Sequence, residues 1–328
     1  MSTKDPYTNR LNTRKAIRYH KTDKSPGGNL YSSFYASMFL EDLRFGITPF
    51  GERSKNPEFA VKIEPPSKEM EEIVRLALPT LHWEPHDITE AVCDFIEEAA
   101  QILAYYGKAY YEIVYFYADE NKLKIDGFRL EPIPNYCMKE TFGFYWQYLP
   151  KKMAKPDEEN IKRFNWLPKN DLFVLSIPRQ LGGIRKFKRL LSELRWLSNC
   201  IIPKFTMDDM AMGQQTKGYD FSLYQANQEI FLAKMTRHLG WPSRGKFARE
   251  SLEFYQIYRY LKFEKTTAIL REHILHRLND CLKRVGKKMD CNVKIKLEGI
   301  PSSKDYESYL IKLIEGSLSF SEVYKILG

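Results

Sequence analysis

A stretch of closely spaced lysines and arginines holds the side chains of this sequence that are best suited to binding chemistry. It runs from Leu181 to Gly240 and opens LGGIRKFKRLLSELRWLSNC. Cationic side chains attract the phosphates of a nucleic acid without reading its bases. The basic residues of this opening are Arg185, Lys186, Lys188, Arg189 and Arg195. An ordinary solvated helix face would have the same composition, so both interpretations stay open.

Two long helices joined by a short polar turn are predicted to carry these cations. Apolar residues recur at helical spacing through the first helix, at Ile184, Phe187, Leu190, Leu191, Leu194 and Leu197. The second helix carries a similar set, Leu223, Ala226, Ile230, Ala233, Met235 and Leu239. The stretch therefore favours a basic helical hairpin, with Pro203 bending or interrupting its first helix.

The composition indicates a folded protein with reduced thiols. The chain has 328 residues, of which 43% are hydrophobic and 14% aromatic, and these values argue against global disorder. Its net charge of +9 favours a polyanionic partner. The 5 cysteines are widely spaced and show no zinc-binding pattern. No apolar run is long enough to span a membrane and no signal core is present, so we expect a soluble intracellular protein.

No set of residues forms a complete catalytic or metal-binding constellation. The chain lacks the phosphate-binding loop of nucleotide-driven motors, and we predict neither a cofactor nor a metal. One spacing, Arg271 followed five residues later by His276, resembles the motif of HEPN-type ribonucleases. That resemblance would place the arginine on the phosphate and give the histidine acid–base chemistry. The alternative is a solvent-facing Arg271 with histidines on a helix-packing surface.

His238, near a helix end, is expected to act structurally, as a cation beside the helix dipole.

The residues before the basic stretch predict an α+β fold. Residues 1–29 are polar and basic and indicate a flexible arm. Helices should follow over 30–46, after Ser67, and from the cap at Asp87 to Gly107. The sequence KAYYEIVYFY then changes to a two-residue period and predicts a strand that pairs with KLKIDGFRLEPIP as a hairpin. Residues 142–148 and 172–177 predict further strands, and residues 47–66 predict a loop.

The residues after the basic stretch predict a loop, a long helix and a small C-terminal end. Residues 243–263 are the best candidate for a functional loop. A helix is predicted over about 264–285, ending at Gly286. The sequence NVKIKLEG alternates as a strand does, and a helix should run from Ser303 to Gly316. A capping box in SFSEVYKIL opens the last helix.

The order of these pieces resembles bacteriophage portal proteins. A helix ending in a glycine before KAYYEIVYFY, the strand end EPIP and the strand LPKNDLFVLSIP are similar to the wing of that family. LGGIRKFKRLL is similar to the glycine-led start of its first stem helix, and FLAKMTRHLGWP to the end of its second. The last residues, IEGSLSFSEVYKILG, resemble the end of many portal chains. The resemblance covers roughly residues 88–328.

The resemblance implies a DNA conduit that has no chemistry of its own. Members form a closed ring, commonly a dodecamer, at one capsid vertex of the virion, and are made in the host cytoplasm. Implied partners are double-stranded DNA, further copies of the chain, capsid protein, a packaging ATPase and tail or adaptor proteins, with no membrane. Residues 243–263 match the tunnel-loop region of that family. Its cations, which would face the DNA channel, are Arg244, Lys246, Arg249, Arg259 and Lys262.

The same resemblance divides the chain into segments. They are the arm (1–29), the wing (30–180), the stem hairpin (181–240), the tunnel-loop region with the long helix (241–286), and a strand with C-terminal helices (287–328). Portals insert a clip domain between the stem helices. Only about residues 212–219 stand there in this chain, which implies a compact or reduced member. The tip residues, which would then contact a tail or motor protein, are Gln214, Gln215, Thr216 and Lys217. A ribonuclease and a monomeric basic nucleic-acid-binding adaptor stay as alternatives.

Overall fold

The structure is a computed structural model that describes residues 6–7, 10–16, 33–49, 59–79, 85–118, 124–148, 164–199, 221–245 and 252–327. Helices and strands are mixed along these residues, which confirms the predicted α+β class. The helices are α1 (Phe34–Phe45), α2 (Lys68–Ala77), α3 (Ile88–Tyr106), α4 (Gly183–Asn199), α5 (Phe221–Thr236), α6 (Glu253–Met289), α7 (Ser303–Ile314) and α8 (Phe320–Leu327). The strands are β1 (Leu11–Asn12), β2 (Ala60–Glu64), β3 (Lys108–Tyr117), β4 (Ile125–Ile133), β5 (Met138–Thr141), β6 (Phe144–Tyr148), β7 (Phe164–Leu167), β8 (Leu172–Ser176) and β9 (Lys294–Glu298).

The chain forms two compact units, and neither is a continuous stretch of sequence. The sheet unit comprises Met1–Pro26, Thr48–Ser176 and His273–Ile300. The helical unit comprises Gly27–Ile47, Ile177–Glu272 and Pro301–Gly328. The predicted wing and the predicted long-helix segment therefore each contribute residues to both units.

Strand β3 is the centre of the sheet unit, and its position follows from the helix before it. Helix α3 begins after Asp87, whose Oδ1 accepts the Glu90 amide at 2.8 Å, as the sequence predicted. It ends at Gly107, whose φ of 77° favours glycine, and β3 follows at once. Strands β4 and β8 pair antiparallel with β3, and Phe95 of α3 lies 5.5 Å from Tyr111 between ring centroids. The predicted helix, glycine and hairpin are thus confirmed.

Two smaller sheets contain strands that the sequence patterns did not predict. Strand β2 lies within residues 47–66, which were predicted to form a loop, and it pairs antiparallel with β9. In the other sheet, β5 and β7 pair with β6, one on each side. The four-residue strands β5 and β7 are too short for alternation to identify them. One face of the β5–β6–β7 sheet is buried in a cluster in which Met138, Tyr145 and Leu167 join Tyr110 of β3.

The described part of the N-terminal arm departs from the predicted flexible segment. Strand β1 pairs antiparallel with β3. The Arg14 guanidinium donates to Glu131 Oε1 at 2.6 Å, and the Lys15 amide donates to Glu112 Oε1 at 2.6 Å. Glu112 and Glu131 lie directly opposite each other on β3 and β4, and both are buried. Buried carboxylates need donors, and here the arm supplies them, which its polar composition could not reveal.

The helical unit is built around aromatic side chains. The Phe39 ring of α1 lies 6.0 Å from that of Phe187 on α4 and 5.4 Å from that of Trp241, between centroids. Helix α5 also packs against α4. The predicted turn at 212–219 and Pro203 lie outside the described residues.

Helix α6 is longer than predicted at both ends. It begins at Glu253, so much of the predicted functional loop over 243–263 is helical, with Ile257 and Leu261 buried in the core. It also continues through Gly286 to Met289 instead of ending at the glycine. A Cβ at Gly286 would collide with the carbonyl of Cys291. The glycine therefore admits a close return of the chain, at a helix-propensity cost of about 1 kcal/mol relative to alanine.

The C-terminal helices have the predicted boundaries. Helix α7 ends just before Gly316, whose φ is 73°. At the start of α8, Glu322 Oε2 accepts the Ser319 amide at 2.8 Å. The predicted capping box is therefore present.

Candidate nucleic-acid interface

Helix α4 has one apolar and one basic face, as predicted. Its buried side chains are Phe187, Leu190, Leu191, Leu194 and Leu197. The exposed basic side chains are Arg185, Lys186, Lys188 and Arg189, while Arg195 is half-buried. Arg189 Nε donates to Glu193 Oε1 at 2.7 Å on the same helix. The exposed pair adds little to stability, so the basic residues of α4 are available to an external anion.

The loop after α5 begins at a glycine that lets it approach α6 closely. Gly240 has a φ of 80°, and a Cβ there would lie 2.8 Å from the carbonyl oxygen of Arg259. Beyond it, Arg244 Nε donates to Asp42 Oδ1 at 2.7 Å, and Arg244 Nη2 donates to Glu41 Oε2 at 3.0 Å. Both acids lie on α1. Arg244 is exposed as predicted for a channel cation, but two carboxylates already balance its charge.

Arg259 does not lie on the surface. It is 2% exposed, and its guanidinium donates hydrogen bonds to acceptors inside the protein. Its Nη2 donates to Thr236 Oγ1 at 2.7 Å and to the Trp241 carbonyl, and its Nη1 donates to the Ala233 carbonyl at 3.1 Å. These acceptors belong to the end of α5 and the loop behind it. Arg259 therefore fixes this loop to α6 and cannot reach a DNA phosphate in this structure, which corrects its predicted role.

Lys262 is the other predicted channel residue that the structure describes. It is half-buried, and its Nζ lies 5.6 Å from the centre of the Tyr258 ring. Burial lowers the pKa of the Lys262 ammonium, and the charges of Arg237 and Arg259 lower it further. Lys246 and Arg249, and the tip residues Gln214, Gln215, Thr216 and Lys217, lie outside the described residues.

Cations of α4, of the end of α5 and of α6 lie within electrostatic range of His238 or of one another. Burial lowers the pKa of the His238 imidazole, and the charges of Lys262 and Lys186 act in the same direction. This shift opposes the cationic form of His238 that was expected beside the helix dipole. Arg237 could not be identified from the sequence, because only the fold brings it within electrostatic range of Lys262. We call Lys186, Arg237 and Lys262 the basic cluster.

The arrangement suits phosphate attraction without base reading. The exposed side chains of α4 and the basic cluster lie in one unit and have no rigid multidentate geometry. Lysine and arginine side chains of this kind give affinity that depends on salt and not on sequence. Their pattern fits contact with the backbone of a nucleic acid better than recognition of one sequence.

The two residues of the ribonuclease alternative have separate roles in the structure. Arg271 is buried, and it donates from Nη1 to the Ile47 carbonyl at 3.1 Å and from Nη2 to the Pro301 carbonyl at 2.7 Å. His276 is exposed, with Nδ1 3.5 Å from Asp280. The buried arginine and the exposed His276 are the reverse of what was expected, whereas His273 is half-buried, as a histidine on a packing surface would be. Arg271 can be buried because two carbonyls accept its hydrogen bonds, that of Ile47 shortly after α1 and that of Pro301 shortly before α7.

In the part of the chain that the structure describes, no three histidine, cysteine, aspartate or glutamate side chains gather in a way that could hold a metal ion. No helix there is both long enough and apolar enough to cross a membrane.

Comparisons with known proteins give no family for this chain. No protein-family model matches it, and a search of curated proteins finds no match. Its function must therefore be inferred from its own residues and fold.

Proposed function

We propose that this chain is a subunit of a portal-like ring, a conduit through which double-stranded DNA enters and leaves a phage capsid. The observation that carries the proposal is the exposed basic face of α4, presented by a helix that packs against α5. Duplex DNA moving through a conduit has to be held without regard to sequence, and dispersed cations do this.

The succession of elements supports the same proposal. Helix α3, its terminal glycine and the β3–β4 hairpin stand where the resemblance puts the wing. Strand β8 leads through Gly182 and Gly183 into α4, where the first stem helix would begin. Helices α7 and α8 stand where the small C-terminal end would be.

The contacts in the helical unit refine which side chains would face DNA. Arg259 is buried and therefore cannot contact DNA. The attraction of Arg244 for a phosphate is weakened, because two carboxylates already balance its charge. The proposal therefore assigns the main phosphate contacts to Arg185, Lys186 and Lys188, with Arg237 and Lys262 beside them. Energy for packaging would come from a separate ATPase, and the ring would sit at a capsid vertex in the virion.

The experiment is to measure the mass and shape of the purified full chain. Light scattering should give a closed multiple of the chain mass at micromolar concentration, and negative-stain images should show rings with a central hole. A single-chain mass, with and without duplex DNA, would overturn the proposal. A single chain that still binds DNA would support the adaptor alternative.

The ribonuclease alternative is tested with His276→Ala. His276 is exposed, so the variant should fold as the wild type does, whereas Arg271→Ala would leave two buried carbonyls without a donor. We expect no RNA cleavage by either the wild type or His276→Ala. Cleavage by the wild type that His276→Ala abolishes would establish a nuclease instead.

The turn between the stem helices would be the docking point for a tail or motor protein. Replacing residues 214–217 with a glycine-serine linker should leave ring mass unchanged and weaken capture of that partner. Loss of rings would make the turn an assembly element, and unchanged capture would remove its docking role.

A further inference from the structure

The second face of the β5–β6–β7 sheet is apolar and exposed. The strands place Phe144, Trp146, Phe164 and Trp166 there, and the turn between β5 and β6 carries Phe142. We call these five side chains the aromatic face. Their exposed fractions run from 38% at Trp146 to 96% at Phe142. Trp146 is directly opposite Trp166 in the register. An antiparallel sheet with one solvated face normally places polar residues on that face, whereas here β6 and β7 place aromatic residues there and only β5 contributes polar ones, Lys139 and Thr141.

The turn at Phe142 points to the same surface. Phe142 has a φ of 50° and Gly143 a φ of 78°, and they connect β5 to β6. Turns with two positive φ values prefer asparagine or glycine at the first position, and a bulky residue there is strained. None of the residues that the structure describes covers the Phe142 ring, which is almost fully exposed. Strained residues that persist commonly serve a contact elsewhere.

The size of the aromatic face fits a protein interface. With about 200 Å² for each aromatic side chain, it exposes on the order of 600 Å² of apolar surface. Stable interfaces bury about 800 Å² on each partner, and a monomer rarely exposes a patch larger than a few hundred Å². The aromatic face therefore supplies most of one side of a stable interface.

A second apolar surface lies on α5. Ile230 is 58% exposed and Phe231 is 47% exposed, and we call this pair the α5 face. Ile230 was predicted to lie in the packed stripe of this helix, but from residue 228 to residue 233, where burial is described, only Leu232 is buried. A helix that is apolar on its outer side normally has a partner there.

We propose that the aromatic face of one copy of this chain packs on the α5 face of a neighbouring copy. Rings close through head-to-tail contacts, in which two different surfaces of the same chain meet. Among the described residues, the aromatic face lies in the sheet unit and the α5 face in the helical unit, so the two surfaces differ as a head-to-tail contact requires. The inference rests on the proposed ring function and names the surfaces that build it.

A second copy fits the aromatic face better than single-stranded nucleic acid does. Aromatic platforms for unstacked bases are combined with a basic groove that follows the backbone. On this face of β5, β6 and β7, Lys139 is the one cation among the described residues, opposite Trp146. The chemistry of the face is therefore that of a buried protein interface.

The test compares two variants with the wild type by light scattering over a range of concentrations. Trp146→Thr/Trp166→Thr removes the aromatic face with residues that suit strands, and Ile230→Gln/Phe231→Gln removes the α5 face with residues that suit helices. Each should need on the order of a hundredfold more protein to assemble. The control Tyr324→Gln removes an exposed aromatic of α8 and should assemble like the wild type.

Mixing the two variants tests the pairing itself. Each keeps one intact surface, so an equal mixture should form particles of two chains and go no further. A mixture that stays monomeric, or either variant assembling as the wild type does, overturns the inference. Circular dichroism and the urea midpoint of each variant establish that it is folded.

The outcomes separate this inference from the proposed function. A wild type that stays monomeric removes both, whereas normal rings from both variants remove only the inference. Wild-type tryptophan fluorescence adds a readout that needs no variant, because assembly should protect Trp146 and Trp166 from a soluble quencher. Quenching that is unchanged by assembly but reduced by single-stranded oligo(dT) would assign the aromatic face to nucleic acid and overturn the pairing of copies.

Discussion

Helix α4 and the segment from Trp241 to Lys262 both contain cations that the sequence identified as DNA contacts, but the fold uses them in opposite ways. On α4, Arg185 and Lys188 are exposed beside a buried apolar stripe. In the later segment, Arg259 is buried among main-chain carbonyls, and Arg244 pairs with two acids of α1. The first set is available to a partner, whereas much of the second holds the helical unit together.

The difference shows when a charge can be assigned from sequence. A cation on an amphipathic helix is placed by its angle relative to the apolar stripe, which is local information. A cation in a connecting segment is placed by whichever carbonyls and carboxylates the fold brings near it. Loss of a charge should therefore affect binding in α4 and stability in the later segment.

The largest expected effect is on stability. Arg259→Ala should lower the free energy of unfolding by about 3 kcal/mol, because several buried acceptors lose their donor. Urea denaturation followed by circular dichroism measures this. Arg244→Ala is the matched control and should change stability by no more than about 1 kcal/mol, since its ion pairs are exposed. Similar losses in the two variants would remove the distinction between Arg259 and Arg244.

The next effect is on nucleic-acid binding. Arg185→Gln/Lys188→Gln should weaken duplex binding and reduce the slope of log K against log salt by about 2, because each phosphate contact contributes about 0.9. Fluorescence anisotropy at several salt concentrations gives the slope, and the urea midpoint should stay at the wild-type value. Arg244→Gln should change the slope less, because Asp42 and Glu41 already balance that charge. A slope that only Arg244→Gln reduces would reverse the comparison.

The smallest effect concerns the pKa of His238. Burial and the charge of Lys262 lower this pKa, so Lys262→Gln should raise it part of the way toward the value of an exposed histidine. NMR titration of the imidazole measures the change, and Lys234→Gln on the exposed side of α5 should leave it unaltered.

The same shift has a consequence for stability. An unfolded chain binds the His238 proton more readily than the folded chain does, so this histidine favours unfolding as pH falls below about 6.5, its unfolded pKa. That loss is complete below the folded pKa. Lys262→Gln should make the loss smaller, and an unchanged or larger pH dependence would place Lys262 too far from His238 to matter.

Much of the local structure could be predicted from the sequence. The cap at Asp87, the glycine at 107 and the change from a helical to a strand period identified α3 and β3, because caps and periods depend on residues within a few positions of one another. The exposed basic residues of α4 were found for the same reason. Strands β5 and β7 were missed because four residues are too few to show alternation. Strand β2 alternates as β9 does, but the prolines on either side of it indicated a loop.

The sequence by itself determined the α+β class, most helix boundaries and the basic face of α4. Only the tertiary structure decided that the arm supplies donors to Glu112 and Glu131, that Arg259 and Arg271 are buried, and that Ile230 is exposed. The physical reason is that burial and hydrogen-bond partners come from residues far apart in the chain. Arg259 finds its acceptors on α5 and the loop behind it, and no spacing near Arg259 records where those carbonyls will lie.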